Sequence, residues 1–260
     1  MLQLTKILVP VDFSAASDAA VHQAAALARH WRSELTLLHI GEQPALWPAA
    51  ADGLDGIAVR RLRRPGDPAR EIIAVAKSDR PDLILMPTHG YGPVRRFFVG
   101  SVTARVLHDV GCPVWTEPHA AQTPDTPSEP WRRMICGVVF GPEDAGALSW
   151  SVGFAAGFHA ELTVAHALPM PSEGIYLPSW REKLRRKTEE RLKAMVQDLP
   201  VPPLTAVLDG PAPDALASAV RECHARLLVI GRRPPSEILG RLNSEAYEII
   251  RCSPCPVVSV

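Results

Sequence analysis

Short apolar runs alternate with amphipathic stretches along the first half of the chain. "KILVPVD" (6–12) is a continuous apolar run with polar ends, which predicts a strand buried on both faces. Residues 15–31 then place Val21, Ala24, Ala28 and Trp31 at helical spacing, with Ser14 positioned as the N-cap. "ELTLLHI" (34–40) predicts a second strand and "VRRLRR" (59–64) a third. "GDPAREIIAVAKSDRPD" (66–82) predicts a helix capped by Asp67, with Pro68 at its first position. "LILMPT" (83–88) predicts a fourth strand, "SVTARVLHDV" (101–110) a helix and "CPVWTE" (112–117) a fifth strand. Strands alternating with helices imply an α/β fold, a parallel sheet covered on both faces.

The pattern then repeats. Residues 6–40 align without a gap on 133–167, where Val11/Val138, Phe13/Phe140, Leu35/Leu162 and His39/His166 coincide. "DLILMPTHG" (82–90) falls on "RLLVIGRRP" (226–234), and "SVTARVLHDVGCPV" (101–114) on "SEAYEIIRCSPCPV" (244–257). The blocks keep their order, so a whole domain is duplicated. The intervening "EPHAAQTPDTPSEPW" (117–131) is rich in Pro, Thr, Ser and Asp and lacks apolar periodicity, as a linker does. The expected division is a first domain at 1–118, a linker at 119–131 and a second domain at 132–260. The second copy is longer between its second and third strands. There "SWREKLRRKTEERLKAMVQDL" (179–199) predicts a helix with a Ser179/Glu182 capping box. Leu184, Thr188, Leu192, Met195 and Leu199 form its apolar face.

Composition narrows the function. The 260 residues suffice for two ordinary domains, and 28 basic residues balance 28 acidic ones. That balance speaks against a nucleic-acid binder or a membrane-surface protein. No apolar run approaches a membrane span, and the amino terminus lacks the pattern of a signal peptide. A cytoplasmic protein is expected. The five cysteines, at 112, 136, 223, 252 and 255, are an odd number, which argues against a disulfide framework. Cys252 and Cys255 form C-x-x-C, but no second ligand pair at zinc spacing accompanies them.

Candidate chemistry concentrates in "PTHGYGPVRRFFVGSVT" (87–103), a loop from a strand end to a glycine and serine at a helix start. Such a loop can hold a phosphate on free N–H groups and the positive end of the helix. It can equally be an ordinary connection. With "KILVPVDFS" opening the domain, "G-x9-GSVT" following and "CPV" closing it, the first copy resembles a universal stress protein domain of the UspA-like kind. The resemblance covers the chain as two tandem copies. It implies two Rossmann-like, HUP-type domains, each a five-stranded parallel sheet of order 3-2-1-4-5. It also implies an adenine-nucleotide site with ATP as ligand, with or without Mg²⁺, and pairing of domains through their last strands. "CPVWTE" and "CPVVSV" would make that pair a pseudo-dimer within one chain, with a homodimer of chains as a further step.

The family's ATP-binding pattern is G-x2-G-x9-G-S/T. Gly90, nine intervening residues, Gly100 and Ser101 match it from the second glycine onward. Pro87 replaces the first glycine, which fixes φ and removes an N–H donor, so one phosphate or ribose contact is expected to be missing. By the resemblance Asp12 faces the ribose or adenine, Pro10, Val11 and Ile40 flank the base, and Met86, Thr88 and His89 line the crevice. Gly100, Ser101, Val102 and Thr103 would receive the phosphates. Arg95 and Arg96 are either phosphate-steering or solvated. In the second copy Val139 stands for Asp12, Pro234 for Gly90 and Asn243 for Gly100, while Gly231 stands where the first copy has Pro87. That copy is expected to be degenerate, with Glu245 at its helix start repelling phosphate.

No Walker loop, G-x-S-x-G elbow or H-E-x-x-H is present. No catalytic residue is assigned. Three readings follow: an ATP-binding stress or regulatory module, an interaction scaffold of the same fold, and a slow nucleotide hydrolase.

Overall fold

The structure, a computed structural model, describes residues 2–41, 47, 54–88, 99–117, 131–168, 178–232 and 244–260. The chain divides into two compact units, the first built mainly from residues up to Thr123 and the second mainly from Pro124 onward.

In the first unit the strands are β1 (Lys6–Val11), β2 (Glu34–Ile40), β3 (Val59–Arg64), β4 (Leu83–Pro87) and β5 (Val114–Glu117). They form a parallel sheet of order β3-β2-β1-β4-β5. Helices α1 (Ala15–Trp31), α2 (Pro68–Asp79) and α3 (Ser101–Asp109) connect them. The expected caps form: Ser14 Oγ accepts from Ser17 N–H, and Asp67 Oδ1 accepts from Arg70 N–H with Pro68 opening α2. Leu8, Leu35, Ile84 and Trp115 are fully buried between the layers.

The second unit repeats this order. Its strands are β6 (Arg133–Gly137), β7 (Glu161–Leu168), β8 (Leu204–Asp209), β9 (Leu227–Ile230) and β10 (Val257–Ser259), arranged β8-β7-β6-β9-β10. Its helices are α4 (Asp144–Phe158), α5 (Pro178–Val196), α6 (Ala212–Glu222) and α7 (Ser244–Cys252). Trp131, the last residue of the expected linker, is buried against Phe154 and Phe158, so the second unit's core begins there.

The long helix of the second unit differs from expectation at its start. It opens at Pro178, so Ser179 lies inside the first turn and cannot act as the cap of a capping box. Proline is suited to a first helical position because its missing N–H would have had no partner there. Helix α5 turns Thr188, Leu192 and Val196 inward. Its arginines also serve the outermost strand. Arg185 donates to Val207 O at 3.0 Å and to Asp209, and Arg181 donates to Asp209 at 2.6 Å. The outer strand of the first unit is protected differently, by its own Arg60, Arg61, Arg63 and Arg64. Both are recognised ways to keep an exposed strand edge from pairing with another chain.

Candidate functional site

A sheet of order 3-2-1-4-5 reverses direction between β1 and β4, and ligands of such sheets bind beyond the carboxyl ends of the strands at that point. The backbone makes this place special in the first unit. Pairing of β1 with β4 runs only through Ile7↔Leu83 and Leu8↔Ile84. The matching pair in the second unit, β6 and β9, continues to Gly137↔Ile230.

The reason lies in two prolines. Thr5 O accepts from Glu34 N–H on the β2 side, and Lys6 O accepts from Asp82 N–H on the β4 side. Backbone groups alternate along a strand, so Pro10 points toward β4. On β4, Ile84 N–H donates to Pro113 O and Thr88 N–H to Glu117 O, both toward β5, so Pro87 points toward β1. Continuing the observed register, the next two ladder bonds would need the N–H groups of Pro10 and Pro87. Neither residue has one. The ladder therefore ends two residues earlier than in the second unit. The N–H that Pro87 lacks would have been a ladder donor on the β1 side of β4, level with Val11.

The other expected residues fall into two groups. Pro10 and Met86 are buried near the ends of β1 and β4, and Ile40 is half-buried at the end of β2. Asp12 is exposed just beyond β1. Its Oδ1 accepts from Ser14 N–H at 3.0 Å and Ser14 Oγ at 2.6 Å, which anchors one oxygen of the exposed carboxylate. Ser101 is exposed at the start of α3, and Val102 is half-buried. Gly100 precedes them as the cap residue and has no side chain to cover the first N–H groups of the helix.

The second group supports the strand ends. Val11 pairs with His39 and projects to the opposite face from Pro10. Thr88 is buried, and both its N–H and hydroxyl donate to Glu117 O at 3.1 Å. Gly100 N–H donates to Thr88 O at 2.8 Å. Thr103 is buried, and its hydroxyl donates to Pro87 O at 3.1 Å instead of facing a phosphate. These bonds fix the α3 start against the ends of β4 and β5. His89 and Gly90, with Arg95 and Arg96, lie outside the described residues.

The turn that carries Asp12 has its own clamp. Phe13 adopts φ 63°, a left-handed conformation unfavourable for a bulky side chain. Its ring stacks on His39 at 4.3 Å, and Trp47 meets it edge-on at 5.8 Å. His39 Nδ1 donates to Val11 O at 2.9 Å, which fixes the tautomer because a carbonyl can only accept. The second unit reproduces the arrangement, with Phe140 at φ 59°, its ring 4.4 Å from His166, and His166 Nδ1 2.8 Å from Val138 O. The coincidence of both residue pairs in the repeat is the sequence signal for it.

In the second unit the corresponding positions are glycines in close packing. A Cβ on Gly231 would lie 2.8 Å from Glu143 O, and one on Gly137 would lie 3.2 Å from Leu216 Cδ1. Gly231 is thus required by close packing against the start of α4. In place of an outward carboxylate there is exposed Val139. Buried Asp144 spends both oxygens on Val139 N–H and Gly141 N–H, each at 3.0 Å.

Two charges near the core are displaced from ordinary behaviour. Burial pushes Glu117 from 4.5 up to about 7, opposed by a hydrogen bond from Trp115 Nε1 at 2.6 Å. Burial pushes the Cys136 thiol up to about 12, so it stays protonated and inert. A separate concavity of about 220 Å³, lined by Lys6, Glu34, Thr36, Arg60 and Asp79, lies at the amino ends of the strands. Arg60 already bridges Glu34 and Asp79 there. That is the wrong end of the sheet for a switch-point ligand. Among the described residues no cluster of His, Cys, Asp and Glu suits a metal ion, and no helix is long and apolar enough to cross a membrane.

Comparison with known proteins agrees with the architecture. The chain is 30% identical over 138 residues to universal stress protein Sll1654 of Synechocystis, which spans 45% of this chain and 88% of that one. It is 24% identical over 141 residues to universal stress protein YxiE of Bacillus subtilis, spanning 42% of this chain and 95% of that one. A solved universal stress protein from Archaeoglobus fulgidus matches the fold with a TM-score of 0.68 at 20% identity, over 99% of this chain and 96% of that one. The model of the Universal stress protein family matches residues 3–52, 45–116 and 130–260. The chain belongs to the universal stress protein family, whose domain it carries twice in tandem.

Proposed function

We propose that the first unit binds an adenine nucleotide and that the protein acts as a nucleotide-responsive module of the stress response, with the bound nucleotide changing conformation or partner affinity. The carrying observation is the end of the β1–β4 ladder after Leu8↔Ile84, at the switch point. Asp12 follows β1 there, and the start of α3, which has no side-chain cap, follows β4. The free Asp12 oxygen suits ribose hydroxyls or an amino group. The N–H groups of 101–103 suit a phosphate, with or without Mg²⁺. The second unit has Val139 where the first has Asp12 and keeps a longer β6–β9 ladder, so one nucleotide per chain is expected. A regulatory effect requires the nucleotide to bind two states of the protein unequally. Five free cysteines accord with a reducing, cytoplasmic setting. The duplicated domains supply both halves of a pseudo-dimer within one chain.

The test is to purify the protein without added nucleotide, denature it and chromatograph what is released, then titrate the stripped protein with MgATP. Gly100 has φ −59° and ψ 149°, open to any residue, so Gly100→Asp introduces a repelling carboxylate without backbone strain. About one nucleotide per chain, lost in Gly100→Asp and kept in Ser244→Ala, supports the proposal. No released nucleotide and no binding at millimolar MgATP sinks it and leaves the scaffold reading.

A further inference from the structure

We infer that the outward flank of α5 is a docking surface for an acidic, amphipathic helix of a partner protein. Among the described residues the first unit has no counterpart of this helix. Residues 178–196 carry seven basic side chains against three acidic ones, in a chain whose charges balance. Three of the seven are engaged: Arg181 and Arg185 on Asp209, and Arg191 over the Phe140 ring at 4.1 Å. The other four, Lys183, Arg186, Lys187 and Lys193, are exposed, and none forms an ion pair among the described residues. Packing of Thr188, Leu192 and Val196 holds the helix in place without calling for this surplus of charge.

Position decides what the surplus can do. Trp180, Lys183, Lys187 and Arg191 follow the spacing i, i+3, i+7, i+11, which gathers them into one stripe. The stripe is apolar at both ends. Trp180 is 55% exposed at the start of the helix. At the other end Arg191 covers the Phe140 ring, and the adjoining Val139 is 48% exposed. At a rise of ~1.5 Å per residue, Trp180 and Arg191 stand about 16 Å apart, three helical turns. A partner helix with an apolar residue at each end and carboxylates on the turns between them matches this surface in charge and in spacing. A phosphate polymer or an anionic bilayer matches it less well. Exposed Glu190, three residues from Lys187, repels a continuous line of negative charge, whereas discrete carboxylates can be placed to avoid it. The apolar face of α5 is turned inward on Thr188, Leu192 and Val196, so it is not offered to a bilayer.

The probe is a fluorescein-labelled, alanine-rich helical peptide with leucines at the spacing of Trp180 and Arg191 and glutamates on the two turns between them. Its binding to the full chain is followed by fluorescence anisotropy at low and high salt. Wild type should bind it, more weakly as salt rises. Lys183→Glu with Lys187→Glu should weaken binding about tenfold, and a peptide carrying lysines in place of the glutamates should recover it. Trp180→Ala should weaken binding about fivefold with the salt dependence unchanged, since it removes an apolar anchor and no charge. These side chains are exposed, so the thermal melts of the variants should follow the wild type. Lys183→Ala with Lys187→Ala stands in for the charge reversal if that variant melts early. No binding by the wild type, or equal binding by the charge-reversed variant, would overturn the inference. So would tighter binding of a single-stranded oligonucleotide or of phosphatidylserine vesicles than of the peptide, because the occupant would then be another polyanion.

Discussion

Glu117 stands at the end of β5, half-buried, with its backbone carbonyl holding Thr88 and its side chain accepting from Trp115. Substituting Glu117→Gln keeps an oxygen for Trp115 Nε1–H and removes the ability to ionise. In the unfolded chain this carboxyl ionises near its ordinary 4.5, whereas in the folded chain burial raises it to about 7. Between those values the folded protein holds a proton that the unfolded chain has released. Stability from this group is therefore complete below about pH 4.5, falls as pH rises, and is lost above about pH 7. The interval corresponds to about 3 kcal/mol at ~1.36 kcal/mol per pH unit. For a protein of this size that is a melting-temperature difference of roughly 6–12 °C. Scanning calorimetry from pH 4 to pH 8 should find the variant and wild type nearly equal at pH 4, with the variant ahead by most of this amount at pH 8. Parallel curves for the two proteins would refute the reasoning, because the carboxyl would then titrate alike in both states.

Two further predictions follow from backbone strain and edge protection. Phe13→Gly should be more stable than Phe13→Ala by about 1 kcal/mol, since glycine relieves the left-handed φ of 63° that alanine must still bear. Chemical denaturation of both variants checks this, and the usual order of alanine above glycine would contradict it. Arg185→Ala removes the donor to Val207 O and half of the clasp on Asp209, so the outer edge of β8 should become available for pairing. Light scattering should then detect concentration-dependent self-association absent from the wild type.

Much of the architecture is legible in the sequence because it depends on local and periodic signals. The caps at Ser14 and Asp67 are written in neighbouring residues, and the apolar runs identify the strands. Duplication is visible because Phe13/Phe140 and His39/His166 recur in one alignment. The start of α5 was misjudged because Ser179 and Glu182 have the spacing of a capping box, while Pro178 also suits a first helical position. Only the backbone geometry decides between two valid local signals.

The candidate site divides along the same line. The sequence by itself placed Asp12, Gly100 and Ser101 at the ends of their elements, since turn and helix-start chemistry is local. It also marked the second copy as degenerate, through Val139 and Asn243. It did not determine what Pro87 does, nor that Thr88 and Thr103 spend their hydroxyls on Glu117 and Pro87. Those facts depend on register, which sets residues 77 positions apart, Pro10 and Pro87, toward one another across two strands. A missing N–H is a local property of proline. Which acceptor goes without it is a property of the strand on the other side, and only the tertiary structure brings that strand into place.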